Sequence, residues 1–199
     1  MKREIRTFGM TGIEIRKAGD KNMLAGHAAL YDSMSRDLGG FFETIRPGAF
    51  KRAIAEKQDV KALWNHDSGV VLGRTTSGTL RIAEDERGLA IEIDLPNTNA
   101  AADLRELIER GDVDQMSFAF ITRRDDWSER IVNNLLSVVR ELQDVDLYDV
   151  SPVTFPAYEE TDIAVRSFEQ KRKRDQDDVA RRHKNLIRKI NLVKIIENA

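Results

Sequence analysis

The chain has 199 residues, with 41% hydrophobic and 33% charged residues, three histidines and no cysteine; that suffices for one core with an appendage and excludes disulfides, thiolate chemistry and cysteine-based zinc sites. No run approaches the roughly 18 to 20 apolar residues a bilayer crossing needs, and Met1-Lys2-Arg3-Glu4 opens no signal-peptide core, so a cytoplasmic protein without membrane, metal or cofactor is expected. The net charge of −2 hides an asymmetry: Arg166 to Ala199 holds 11 basic and 5 acidic residues (+6), the preceding residues 21 and 29 (−8).

In chain order, residues 22–30 and 59–64 are apolar runs of strand length. Pro47-Gly48-Ala49-Phe50 opens a short helix to about Lys57, with proline in its first turn. Leu89, Ile91, Ile93 and Leu95 alternate with period two and predict a half-buried strand. The next helix is capped at Asn97-Thr98-Asn99, carries Leu104, Leu107 and Ile108 on one stripe, and stops at Gly111. Residues 116–122 predict a strand, Arg123-Arg124-Asp125-Asp126 a solvated turn, and residues 137–155 a last strand whose Pro152 and Pro156 mark an edge, a bulge or an end. From Phe168 the composition becomes that of a linker or exposed helix. Beyond it Val179, Leu186, Ile190 and Val193 recur at amphipathic spacing, able to pack on a partner. The basic tail reads more simply as a solvated helix face than as a nucleic-acid site, because the acidic body interleaves no basic residues with exposed aromatics.

Three strings each place one chemically capable residue among apolar neighbours: Trp64-Asn65-His66-Asp67, Met116-Ser117-Phe118-Ala119-Phe120 and Tyr148-Asp149-Val150-Ser151-Pro152-Val153. Together they could supply a base, a nucleophile and an orienting acid, the composition of a serine hydrolase, in which an imidazole takes the hydroxyl proton. Strand phase puts His66 with Trp64, Ala62 and Val60, and Ser117 with Ala119 and Ile121. Taken singly, each has a plainer explanation: a satisfied core histidine, a serine bonded to a neighbouring carbonyl. No Gly-x-Ser-x-Gly elbow is present, since Gln115 and Ala119 stand at the glycine positions. Among Glu141, Asp144, Asp146 and Asp149, phase groups Asp149 with Val145, Leu147, Ser151 and Val153 and so favours it; a carboxylate bonded to backbone near Pro152 is the plainer alternative.

Residues 42–50 (Phe-Glu-Thr-Ile-Arg-Pro-Gly-Ala-Phe), Asn65-His66-Asp67 with Val71-Leu72-Gly73-Arg74-Thr75, the run 110–120, and the run 149–158 resemble, in unbroken order, the prohead maturation proteases of tailed bacteriophages. These in turn resemble herpesvirus assemblins. The resemblance implies an α+β fold with a mainly antiparallel β-barrel core and surrounding helices, a protease domain over residues 1–165, and a basic tail over 166–199 carrying an amphipathic helix. It further implies a serine endopeptidase with Ser117 as nucleophile, His66 as base and Asp149 as third member, where assemblins use a second histidine; Glu141 is the rival. Backbone amides near Ala157 and Tyr158 would bind the oxyanion. The implied partners are the phage major capsid protein with its scaffolding segment, or a scaffold protein, and further copies of the chain; the implied place is the immature capsid inside the infected host, with self-cleavage. A non-enzymatic assembly factor is the alternative.

Overall fold

The computed structural model describes residues 3–8, 12–18 and 21–155, together with 168–169, 171–174, 176–178 and 181. The chain divides into two compact units, residues 1–161 and 162–199. The described residues of the second unit are helical, with Arg181 paired to Asp178 at 3.0 Å. The apolar repeat from Val179 to Val193 and the amides of Ala157 and Tyr158 lie outside the described residues.

The first unit is mostly β. In chain order its elements are β1 (Glu4–Phe8), β2 (Glu14–Ala18), β3 (Lys21–Leu30), β4 (Phe42–Ile45), α1 (Lys51–Ala55), β5 (Lys61–Trp64), β6 (Asp67–Arg74), β7 (Leu80–Glu84), β8 (Gly88–Asp94), α2 (Asn99–Arg110), β9 (Gln115–Val132) and β10 (Leu135–Val153). One sheet has the order β1-β9-β10-β5-β6, with β4 also on β10, and the other the order β2-β3-β8-β7. At 19 residues, β10 pairs antiparallel with β9 on one side and, on the other, parallel first with β4 and then with β5. Leu24, Leu89, Ile91 and Ile93 of the smaller sheet share one core with Phe118, Phe120, Leu147 and Val150 of the larger. Within that core Phe118 stacks on Phe120 at 4.9 Å and meets Phe50 edge-on at 5.6 Å, each ring contributing roughly 1.5–3 kcal/mol through burial.

The second predicted helix forms as expected. The Thr98 hydroxyl accepts from the Ala101 amide, Leu104 and Ile108 are buried, and Gly111 takes φ +81°, a left-handed stop that costs glycine least. The first is a single turn: Pro47 belongs to the preceding turn, not to the helix. The charged cluster Arg123-Arg124-Asp125-Asp126 is not a turn. β9 runs straight through it, and the chain reverses at Asn133-Asn134, whose φ values of +51° and +64° suit a two-residue hairpin. Charge is tolerated there because cross-strand pairs neutralise it: Arg130 donates to Glu141 at 3.1 Å, Arg140 to Asp125 at 2.8 Å, and Arg123 to Asp146 at 2.6 Å.

β1, which the sequence pattern did not reveal, is fastened by buried charges. Arg6 donates to Glu43 at 2.7 Å and to Glu4 at 2.8 Å, and Arg140 donates to Glu4 at 2.7 Å and to Glu43 at 3.1 Å. All four residues are at most 5% exposed. Burial pushes the Glu4 carboxyl up, but hydrogen bonding and charge from Arg140, with Arg6 and Thr122, outweigh it and hold Glu4 below the usual carboxylate range. At Asp146 burial likewise opposes, and Arg123, Arg52 and Gln58 outweigh it. A depressed carboxylate contributes stability that is fully present above its unfolded pKa, about 4, and is lost as pH falls toward the lowered value. The urea midpoint should therefore drop between pH 5 and pH 3, and Asp146→Asn should shrink that drop. A midpoint unchanged over this interval would contradict the assignment.

Candidate active site

The β5–β6 hairpin turns on two residues, Asn65 and His66, at φ +54° and +57°. His66 is thus not a strand residue sharing a face with Trp64 and Ala62. It is the second residue of a tight turn, and the left-handed backbone there sends the ring over the neighbouring strand. Asn65 ties this turn to the end of β10. Its backbone amide donates to the Pro152 carbonyl (3.0 Å), its side-chain oxygen accepts from the Thr154 amide (2.9 Å), and its side-chain nitrogen donates to the Thr154 hydroxyl (3.3 Å). Asp67, by contrast, opens β6, is exposed and accepts from the Gly69 amide.

Ser117 lies on β9 opposite Ser151 of β10, and Ala119 lies opposite Asp149. Met116, Phe118 and Phe120 enter the core, so Ser117 and Ala119 face the other way, as their phase predicts. Asp149 reaches the Ser117 side for a different reason from the one its phase suggests. The register shifts between Leu147 and Asp149, leaving Tyr148 as an extra residue. Val145 and Leu147 consequently join the core, while Asp149 and Ser151 stand on the opposite face. The expected shared face of Val145, Leu147 and Asp149 does not exist.

His66 Nδ1 lies 2.6 Å from Asp149 Oδ1, and His66 Nε2 lies 2.7 Å from Ser117 Oγ. Asp149 is 6% exposed, and Ser151, which sequence reasoning missed, donates its hydroxyl to Asp149 Oδ1 at 2.9 Å, so the buried carboxylate is hydrogen-bonded. Its two-residue spacing from Asp149 was the available signal. The other carboxylates of the run are engaged by arginines: Glu141 by Arg130 (3.1 Å) and Arg46 (3.9 Å), Asp144 by Arg52 (3.0 Å), Asp146 by Arg52 (2.6 Å) and Arg123. Asp149 is the one of the four that meets an imidazole. A second imidazole, His27, pairs with Asp85 at 2.8 Å and fastens β3 to the β7–β8 turn. Among the described residues no cluster of side chains is fit to hold a metal ion.

A hydroxyl, an imidazole and a carboxylate joined in this sequence have the composition that lets an imidazole take a hydroxyl proton, the chemistry a serine hydrolase uses. The comparisons with known proteins give the same class. Residues 11–176 match the model of the caudovirus prohead serine proteases, and the chain belongs to that family. It is 30% identical over 165 residues to the prohead protease of Enterobacteria phage HK97, covering 80% of this chain and 68% of that protein. Its fold resembles the bacteriophage T4 capsid assembly protease gp21, with a TM-score of 0.50 at 12% identity over 76% of this chain and 97% of the other.

Asn65 is a positioning residue for this arrangement. Asn65→Ala is expected to lower kcat by roughly 10- to 100-fold through displacement of the His66 ring. Asn65→Asp, which keeps the acceptor for the Thr154 amide, should retain most of the activity; equal loss in both would refute the role.

Proposed function

We propose that the chain is the endopeptidase that cuts scaffold protein, or the scaffolding segment of the major capsid protein, inside the immature capsid in the infected host, and that it also cuts itself. The observation that carries this reading is the pair of hydrogen bonds joining Ser117, His66 and Asp149 at 2.7 and 2.6 Å in a member of a prohead serine protease family. In the proposed mechanism His66 Nε2 takes the Ser117 proton as Oγ attacks the peptide carbonyl carbon. It then protonates the leaving amine, and water hydrolyses the acyl-enzyme by the same path. Asp149 holds the Nδ1 proton and stabilises the imidazolium. Amides near Ala157 and Tyr158 are the proposed oxyanion donors.

Residues 166–199 form, in this proposal, a separate basic segment that docks on scaffold or capsid interior, and the enzyme acts as an assembly of several copies. Intact-mass analysis after co-expression with the capsid protein of the same phage tests the activity. The wild type should yield trimmed capsid protein and self-fragments, and Ser117→Ala and His66→Ala should yield neither. Identical fragments in all three would leave the chain a non-enzymatic assembly factor. A chain ending at Arg166 should lose incorporation into proheads; undiminished incorporation would refute docking by the tail.

A further inference from the structure

Ser117 has none of its surface exposed, and β1 runs antiparallel beside it with Thr7 directly opposite. The Ser117 hydroxyl lies 2.9 Å from the carbonyl oxygen of Arg6 as well as 2.7 Å from His66 Nε2. A hydroxyl has one proton to give. Donated to the Arg6 carbonyl, it is withheld from the imidazole, and Ser117 can only accept from His66. β1 is therefore a competing acceptor at the nucleophile and at the same time an extended backbone that brings a carbonyl within reach of it.

We propose that β1 stands in for the substrate: the β9 edge beside Ser117 is the peptide-binding surface, it takes an extended segment in β1's antiparallel register, and β1 leaves before catalysis. This rests on the assignment of Ser117 as nucleophile. The charges also define the kind of segment. β1 brings Glu4 and Arg6 and so no net charge; without it the buried Glu43 keeps Arg140 at 3.1 Å and shares that guanidinium with the half-buried Asp125. Glu43 is wholly buried, and Arg6 supplies a second cation to it through its 2.7 Å contact. The surface fits an extended peptide with a basic residue at the position of Arg6, its main-chain hydrogen bonds giving affinity and the Glu43 pocket giving selectivity.

The probe is a fluorophosphonate, which phosphonylates active serines with loss of fluoride, read by the mass of the peptide containing Ser117 in the full chain. Arg6→Ala loosens β1 and should raise the labelling rate at least about tenfold over wild type, in proportion to the open population. In a second variant, Ile5→Cys with Ala119→Cys, a disulfide between these paired positions should hold β1 down, suppress labelling, and release it on reduction; the chain's lack of cysteine keeps this clean. The free peptide Arg-Glu-Ile-Arg-Thr-Phe, residues 3–8, should protect Ser117 in the Arg6→Ala chain, and its Arg6→Glu form should not. Labelling equal in wild type, Arg6→Ala and both redox states of the cysteine pair overturns the proposal while leaving Ser117 reactive. Ser117 unlabelled in every variant overturns the nucleophile assignment and this proposal with it.

Discussion

Replacing Ser117 or His66 by alanine is expected to lower peptide hydrolysis by about 10⁴- to 10⁶-fold, because neither a neutral hydroxyl nor a lone imidazole provides the activated nucleophile. Asp149→Asn should cost about 10⁴-fold with the fold intact: the amide can donate to Nδ1 and stabilise the wrong tautomer, with the proton on Nε2 facing Ser117. The double variant Ser117→Ala with His66→Ala should be no worse than either single one, since the groups act as a unit. Single-turnover cleavage of a capsid-derived polypeptide measures all four. Activity surviving in Asp149→Asn at near wild-type rate would remove Asp149 from the mechanism, and additive losses in the double variant would show that Ser117 and His66 act separately.

The second large effect concerns stability. Arg140 touches Glu4, Glu43, Asp125 and Thr122 while only 3% exposed. Arg140→Ala leaves two buried carboxylates to share Arg6 and is expected to destabilise by about 3–5 kcal/mol, which for a domain of this size lowers Tm by roughly 6–20 °C. Removing opposite charges together should be milder: Arg140→Met with Glu43→Leu should recover part of the loss, because the penalty lies in the unpaired partner rather than in the missing attraction. The ion pairs of Asp59 with Arg74 and Lys61 are exposed, and Arg74→Ala should barely move Tm. Thermal unfolding of the three variants decides; a Tm for Arg140→Ala equal to that of Arg74→Ala would refute the buried network.

The parts of the fold legible in the sequence are those written by local rules. The α2 helix carries its cap, stripe and stop within its own residues, and β8 shows its alternation directly. β1 and β2 were not visible because each is five residues long, with charged residues at alternate or adjacent positions, so pairing with distant strands, not local pattern, makes them strands. The distal half of the β9–β10 hairpin was hidden for a related reason: a two-stranded ribbon need not be apolar, and the charges read as a turn are its cross-strand partners. At the candidate site the residue types were legible and their orientation was not. His66 was assigned to a strand face although it sits in the turn, and Asp149 was selected by a phase that the extra residue at Tyr148 interrupts. Ser151, which binds Asp149, stood in the quoted string without a role.

That extra residue separates the facing of two side chains from their spacing in the sequence. With Tyr148 present, Leu147 faces the core and Asp149 faces Ser117. Taken up as regular strand without the bulge, the same residues would turn Asp149 inward beside Leu147 and swing Val150 toward His66, whereas deleting Tyr148 would make Leu147 and Asp149 consecutive residues on opposite faces and preserve the arrangement. Whether Tyr148 stays outside the ladder governs whether the carboxylate reaches the imidazole. An alignment of relatives over β10 therefore has to count places across the bulge before it matches letters.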